Sequence, residues 1–143
     1  LYRKAKPVPD EIMSLLPHKI RKVIGSPRYI EKSRVAEISL PHFALSEAKA
    51  VVVEDVIVFR DNKVPDPATL DGKYLWLHEL YHVYQYRSLG TAEFAKRYIG
   101  NELGFEAVNN KYPGLNTIEV EADLFACLYV EGAVPAYILT CPS

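Results

Sequence analysis

Long apolar runs are missing from this chain. None approaches the roughly 18 residues of a membrane-spanning helix, and the amino end lacks an apolar core followed by a small-residue cleavage site. No membrane span is expected. An excess of one charge is missing too: Lys and Arg number 17 against 18 Asp and Glu, so no basic field attracts a phosphate backbone, and nucleic acid is not expected as a partner. Cysteine is scarce. Cys127 and Cys141 are the only two, and without C-x-x-C spacing they build neither a zinc ribbon nor a dithiol redox pair. They form a disulfide if the tail folds back; otherwise Cys127 is a small buried hydrophobe and Cys141 a tail residue. Internal repeats, low-complexity tracts and interdomain linkers are also lacking.

What is present fits one domain over residues 1–143, 49% hydrophobic and long enough to bury roughly two-thirds of its unfolded surface. The chain begins at Leu1 rather than Met, which suggests removal of an upstream segment. With the cysteine pair, it favours an extracytoplasmic setting.

The chemistry concentrates in Leu75 to Leu89, whose centre reads His78-Glu79-Leu80-Tyr81-His82. On a helix, residues four apart lie on one face with Cβ atoms about 5–6 Å apart, so both imidazoles reach a single ion. Glu79 then flanks that ion as a general base. Leu75, Trp76, Leu77, Leu80, Tyr81, Val83 and Tyr84 make the segment apolar nearly all round, which predicts a buried helix. Buried polar groups need partners, and a shared metal satisfies several at once.

Along the chain, a basic, proline-containing lead precedes Asp10, a candidate cap. Ile12, Leu15, Leu16, Ile20, Val23 and Ile24 follow at helical spacing, with Pro17 splitting the helix and Gly25 ending it. Residues 28–59 carry strand signals, first in Ala36 to Leu40, then in Ala50-Val51-Val52-Val53 and Val56-Ile57-Val58-Phe59, read as a hairpin around a tight Glu54-Asp55 turn or, alternatively, as one longer strand. A loop with Pro65 and Pro67 leads to the central helix, expected from Lys73 to Leu89 with Asp71 as cap and Gly90 as stop. Thr91 caps a further helix with Phe94, Ala95 and Tyr98 inward. A last helix is expected from Thr117 to about Glu131, with Leu124, Phe125 and Leu128 in the core. The alanines 122 and 126 let it approach the histidine helix closely. The fold class is α+β: a small twisted sheet packed on the central helix, with the second ligand-bearing helix crossing beside it.

A catalytic zinc takes three protein ligands and keeps a fourth position for water. His78 and His82 supply two. A metzincin places its third histidine six residues after the second, but Ser88 stands there. Glu119-Val120-Glu121-Ala122-Asp123 instead offers Glu119 and Asp123 at i, i+4, so that Glu119 can bind the metal while Asp123 accepts a hydrogen bond from a ligand imidazole. Glu121 is the alternative ligand, pointed two residues round the helix toward another face. His18 and His42 have no second ligand nearby at metal spacing and read as structural or surface residues. Gln85 reads as a hydrogen-bonding neighbour of the site.

The stretch His78-Glu79-Leu80-Tyr81-His82-Val83-Tyr84-Gln85, followed by Glu119 to Asp123, resembles a gluzincin-type zinc metallopeptidase. More narrowly, it resembles the zinc-peptidase domain associated with extracellular contractile injection systems, whose members show an H-E-L-x-H-V-x-Q core; the likeness spans roughly residues 35 to 130. The resemblance implies Glu119 as third zinc ligand and Asp123 as the partner of His78. The expected activity is hydrolysis of a peptide bond in a polypeptide substrate, with Glu79 moving the proton. Tyr84, Tyr98, Tyr112, Tyr129 and Tyr137 are candidates for stabilising the oxyanion. A strand from Ala50 to Phe59 would offer an edge for an extended substrate. Two other readings keep the zinc: a non-catalytic module stabilised by the metal, and an effector peptidase delivered within a larger chain.

Overall fold

In the computed structural model, residues 4–31, 50–53, 55–90, 92–94 and 117–130 are described. The fold is α+β: among the described residues, a mixed four-stranded sheet has helices packed against it. The elements are β1 (Lys6–Pro7), α1 (Asp10–Met13), α2 (His18–Ile24), β2 (Arg28–Glu31), β3 (Ala50–Val53), β4 (Val56–Phe59), α3 (Leu70–Leu89) and α4 (Thr117–Tyr129).

Pro17 divides the first helical region as its chemistry requires, standing just before α2, and Gly25 follows that helix with φ 73°. Asp10 is the first residue of α1 rather than its cap; Pro9 holds that position without a side-chain hydrogen bond. The expected hairpin forms, with Val53 opposite Val56 and Ala50 opposite Phe59. The strand order is β1-β2-β4-β3, in which β2 runs parallel to β4 and β1 antiparallel to β2. All four residues of β4 are buried, as expected of a strand covered on both faces. The predicted strand at Ala36 to Leu40 lies outside the described residues, as do His42, Thr91, Ala95 and Tyr98.

Helix α3 rests on the sheet through Trp76. Its indole is fully buried, meets Tyr29 and Phe59 edge to face with ring centroids 5.0 Å apart in both pairs, and donates through Nε1 to the Pro65 carbonyl at 2.9 Å. A buried tryptophan needs such a partner for its N–H. Leu77, Leu80 and Val83 complete the buried apolar surface of the helix. The helix starts at Leu70, three residues earlier than its spacing predicts, because Thr69 rather than Asp71 caps it: the Thr69 hydroxyl accepts from the Gly72 amide at 2.9 Å. Gly72 sits so near the preceding turn that a Cβ there would overlap the Asp66 carbonyl. Gly90, at φ 85°, ends the helix.

Helix α4 lies along α3. Ala122 and Ala126 are fully buried between them, and Ile118, Phe125 and Val130 are buried as well. Leu124 and Leu128, expected in the core, are instead each 44% exposed. The phase of the helix explains this. Turning Glu119 and Asp123 toward the histidines puts positions 118, 122, 125 and 126 against the protein, and positions 124 and 128 then face away.

Candidate metal site

The imidazoles of His78 and His82 stand one turn apart on α3, edge to face, with ring centroids 4.8 Å apart and Nε2 atoms 3.1 Å apart. Glu119, on the first turn of α4, closes the site from the other helix. Its Oε2 lies 3.0 Å from Nε2 of His78 and its Oε1 2.9 Å from Nε2 of His82. One donor atom from each of the three residues falls within 4.8 Å of the other two, the only such group among the described residues. Bonds of about 2.0–2.1 Å set the corners of a zinc tetrahedron roughly 3.3 Å apart. The observed separations need only slight opening to match, so the donor set fits zinc.

Both imidazoles are held from behind. Nδ1 of His78 lies 2.8 Å from Oδ1 of Asp123, angled away from an ideal hydrogen bond but close enough for a charge pair. Tyr74, one turn before His78, donates its hydroxyl proton to the same Oδ1 at 2.9 Å. Nδ1 of His82 faces Oε1 of Gln85 at 2.8 Å. The Gln85 amide nitrogen reaches α4, donating to the Ile118 carbonyl and to Oε2 of Glu121, each at 3.1 Å. Glu121 therefore pairs with Gln85 and lies outside the donor group, as its helical position requires.

The electrostatics follow from this crowding. Burial alone would lower the His78 pKa, but the Asp123 and Glu119 carboxylates and the charge of Glu79 outweigh it and raise it to about 10. Burial pushes Glu119 up, yet the contacts to His78 and His82 win and hold its carboxyl well below the usual range. Glu79 is different. It is buried at 8% exposure, and desolvation raises its pKa, opposed by the nearby histidines and assisted by the charges of Glu119 and Asp123. The carboxyl of Glu79 is thus shifted upward beside the donor group.

Comparison with known families adds one link. Residues 43–90 match the eCIS core domain. That family is associated with extracellular contractile injection systems. The match spans β3, β4 and α3, and so takes in His78, Glu79, His82 and Gln85. It is narrower than the expected span of 35 to 130 and ends before Glu119 and Asp123. No curated protein and no solved structure matches the chain.

The structure brings His78, His82, Glu119 and Asp123 together by contact, and Glu79 is buried within reach of their charges. The tyrosines fare differently. Tyr84 packs its ring on Tyr81, and Tyr129 on Phe125, while Tyr98, Tyr112 and Tyr137 lie outside the described residues. Tyr74 was missed, although its place four residues before His78 puts it on the same helix face. Phe94, whose ring stands edge-on to His82 with centroids 6.2 Å apart, was expected only as a core residue. His18 is exposed at the start of α2. Cys127 is buried and disulfide-bonded; Cys141 lies outside the described residues. No helix among the described residues is long and apolar enough to cross a membrane.

Proposed function

We propose that this chain is a zinc-dependent peptidase of the gluzincin type, with His78, His82 and Glu119 as metal ligands and Glu79 as general base. The observation that carries the reading is the convergence of two Nε2 atoms and one carboxylate within hydrogen-bonding distance of each other, beside a buried glutamate. Three protein ligands leave a coordination position open, the arrangement of catalytic rather than structural zinc. The Glu119 side chain is 31% exposed, which supports access from solvent on that side.

When bound, zinc supplies a water of lowered pKa and polarises the scissile carbonyl. The chain's own residues do the rest. Glu79 takes a proton from the attacking water and returns it to the leaving amine, a role its raised pKa favours. Asp123 and Gln85 hold the two imidazoles. The disulfide at Cys127 supports an oxidising, extracytoplasmic setting, and the eCIS core match supports association of this chemistry with a contractile injection system.

A second reading, a non-catalytic module stapled by zinc, is favoured by one fact: the donors come from both α3 and α4, so a bound ion would fasten the helices whether or not substrate enters. Glu79→Gln distinguishes the two. The peptidase reading expects the variant to keep its zinc and lose hydrolysis of a casein or mixed-peptide substrate that the wild type cleaves. Zinc-loaded wild type that cleaves no peptide in such a mixture, or a variant that cleaves as fast as wild type, contradicts it.

A further inference from the structure

We propose that Gln85 is a positioning residue that fixes His82 as an Nε2 donor and holds α4 in the register that brings Glu119 to the same point; this rests on the zinc reading above. The Ile118 carbonyl and the Glu121 carboxylate, both 3.1 Å from the Gln85 amide nitrogen, only accept. The NH2 end of Gln85 must therefore face α4, which turns Oε1 toward His82. An amide oxygen also only accepts, so Nδ1 of His82, 2.8 Å away, must carry a proton. In the neutral imidazole this leaves Nε2 as the lone-pair nitrogen, and Nε2 is the atom facing His78 and Glu119.

The same side chain sets the helix register. Ile118 precedes Glu119 directly, and Glu121 follows two residues later, so the two acceptors of Gln85 bracket the third ligand on α4. Gln85 is 4% exposed. Little water competes for these bonds, and an amide buried with all three partners met has one orientation. Asp123 performs the matching task for His78 with a carboxylate. A neutral amide serves at His82 because it must donate to α4 as well as accept from the ring, which a carboxylate cannot do.

The test uses the full chain with zinc as the probe, measuring affinity by competition with a chromophoric chelator and the His82 ring state by long-range 1H–15N NMR. In zinc-loaded wild type, His82 should carry its proton on Nδ1, with the metal on Nε2. Gln85→Leu should weaken zinc by about 10–100-fold, the usual cost of losing a residue that orients a ligand. A swap, Gln85→Glu with Glu121→Gln, restores an acceptor for His82 and the contact to position 121 but leaves the Ile118 carbonyl facing an acceptor, and should recover only part of the loss. Zinc on Nδ1 of His82 in wild type, or a folded Gln85→Leu that binds within twofold of wild type, overturns the inference and leaves the zinc reading standing. Wild type that takes up no zinc overturns both.

Discussion

Tyr74 and Asp123 are joined across the two helices by a 2.9 Å hydrogen bond, and the same carboxylate oxygen lies 2.8 Å from Nδ1 of His78. Three residues thus follow one another: a phenol holds a carboxylate, which stands against an imidazole, which faces Glu119 and His82. Each step away from the metal should count for less. Asp123→Ala is expected to weaken zinc by about 10–100-fold. Tyr74→Phe, which leaves Asp123 partly solvated but still beside His78, should cost less than about tenfold. Chelator competition on both variants checks the order, and a larger loss for Tyr74→Phe would contradict it.

The metal-free chain should show a distinct pH dependence of stability. The raised His78 pKa means that its contribution is fully present below the ordinary value of 6.5 and is lost as pH climbs toward about 10. The depressed Glu119 pKa means that its contribution is present above 4.5 and is lost as pH falls further. Glu79, raised by burial, contributes most below its ordinary value of 4.5 and adds a cost as pH rises above it. Metal-free protein is therefore expected to be most stable between about pH 4.5 and 6.5 and to weaken toward pH 10. Urea denaturation across that range in the presence of chelator would show it; an unchanging midpoint from pH 5 to 10 would not agree.

Helix phase gives a mutational contrast on α4. Ala122 is fully buried against α3 while Leu124 is 44% exposed. Ala122→Leu should force the helices apart at a cost of about 1–3 kcal/mol and weaken zinc, because Glu119 lies one turn away. Leu124→Ala should change stability by no more than about 0.5 kcal/mol. Thermal denaturation of the two variants tests this, and a larger loss at Leu124 would return that residue to the core.

At the start of α3, Gly72→Ala should destabilise the protein by about 1–3 kcal/mol, since the added Cβ overlaps the Asp66 backbone carbonyl and backbone yields less readily than a side chain. An unchanged denaturation midpoint would mean that the turn adapts.

Part of the site was legible because helical spacing pairs its side chains, while the meeting of the two pairs was implied by the resemblance to gluzincins. Positions 78 and 82, and 119 and 123, are each one turn apart, so two short motifs set four side chains on two faces. The hairpin was legible from two valine-rich runs around a short turn. The cap was not, because Thr69 and Asp71 are both good capping residues, and only the fold of the preceding turn decides between them. Leu124 and Leu128 were misplaced for a different reason. The buried face of α4 is made by Ile118, Ala122, Phe125, Ala126 and Val130, with Glu119 and Asp123 at its edge, so Leu124 and Leu128 point outward. The parallel pairing of β2 with β4 depends on long-range topology, which local pattern does not encode.

The central claim is that His78, His82 and Glu119 hold one metal ion between two helices. Elemental analysis of the purified chain, beside His78→Ala and Glu119→Ala, tests it most directly. The account predicts about one zinc per wild-type chain and loss of that zinc in both variants. Wild type free of metal after zinc is supplied, or variants that keep a full complement, would contradict it.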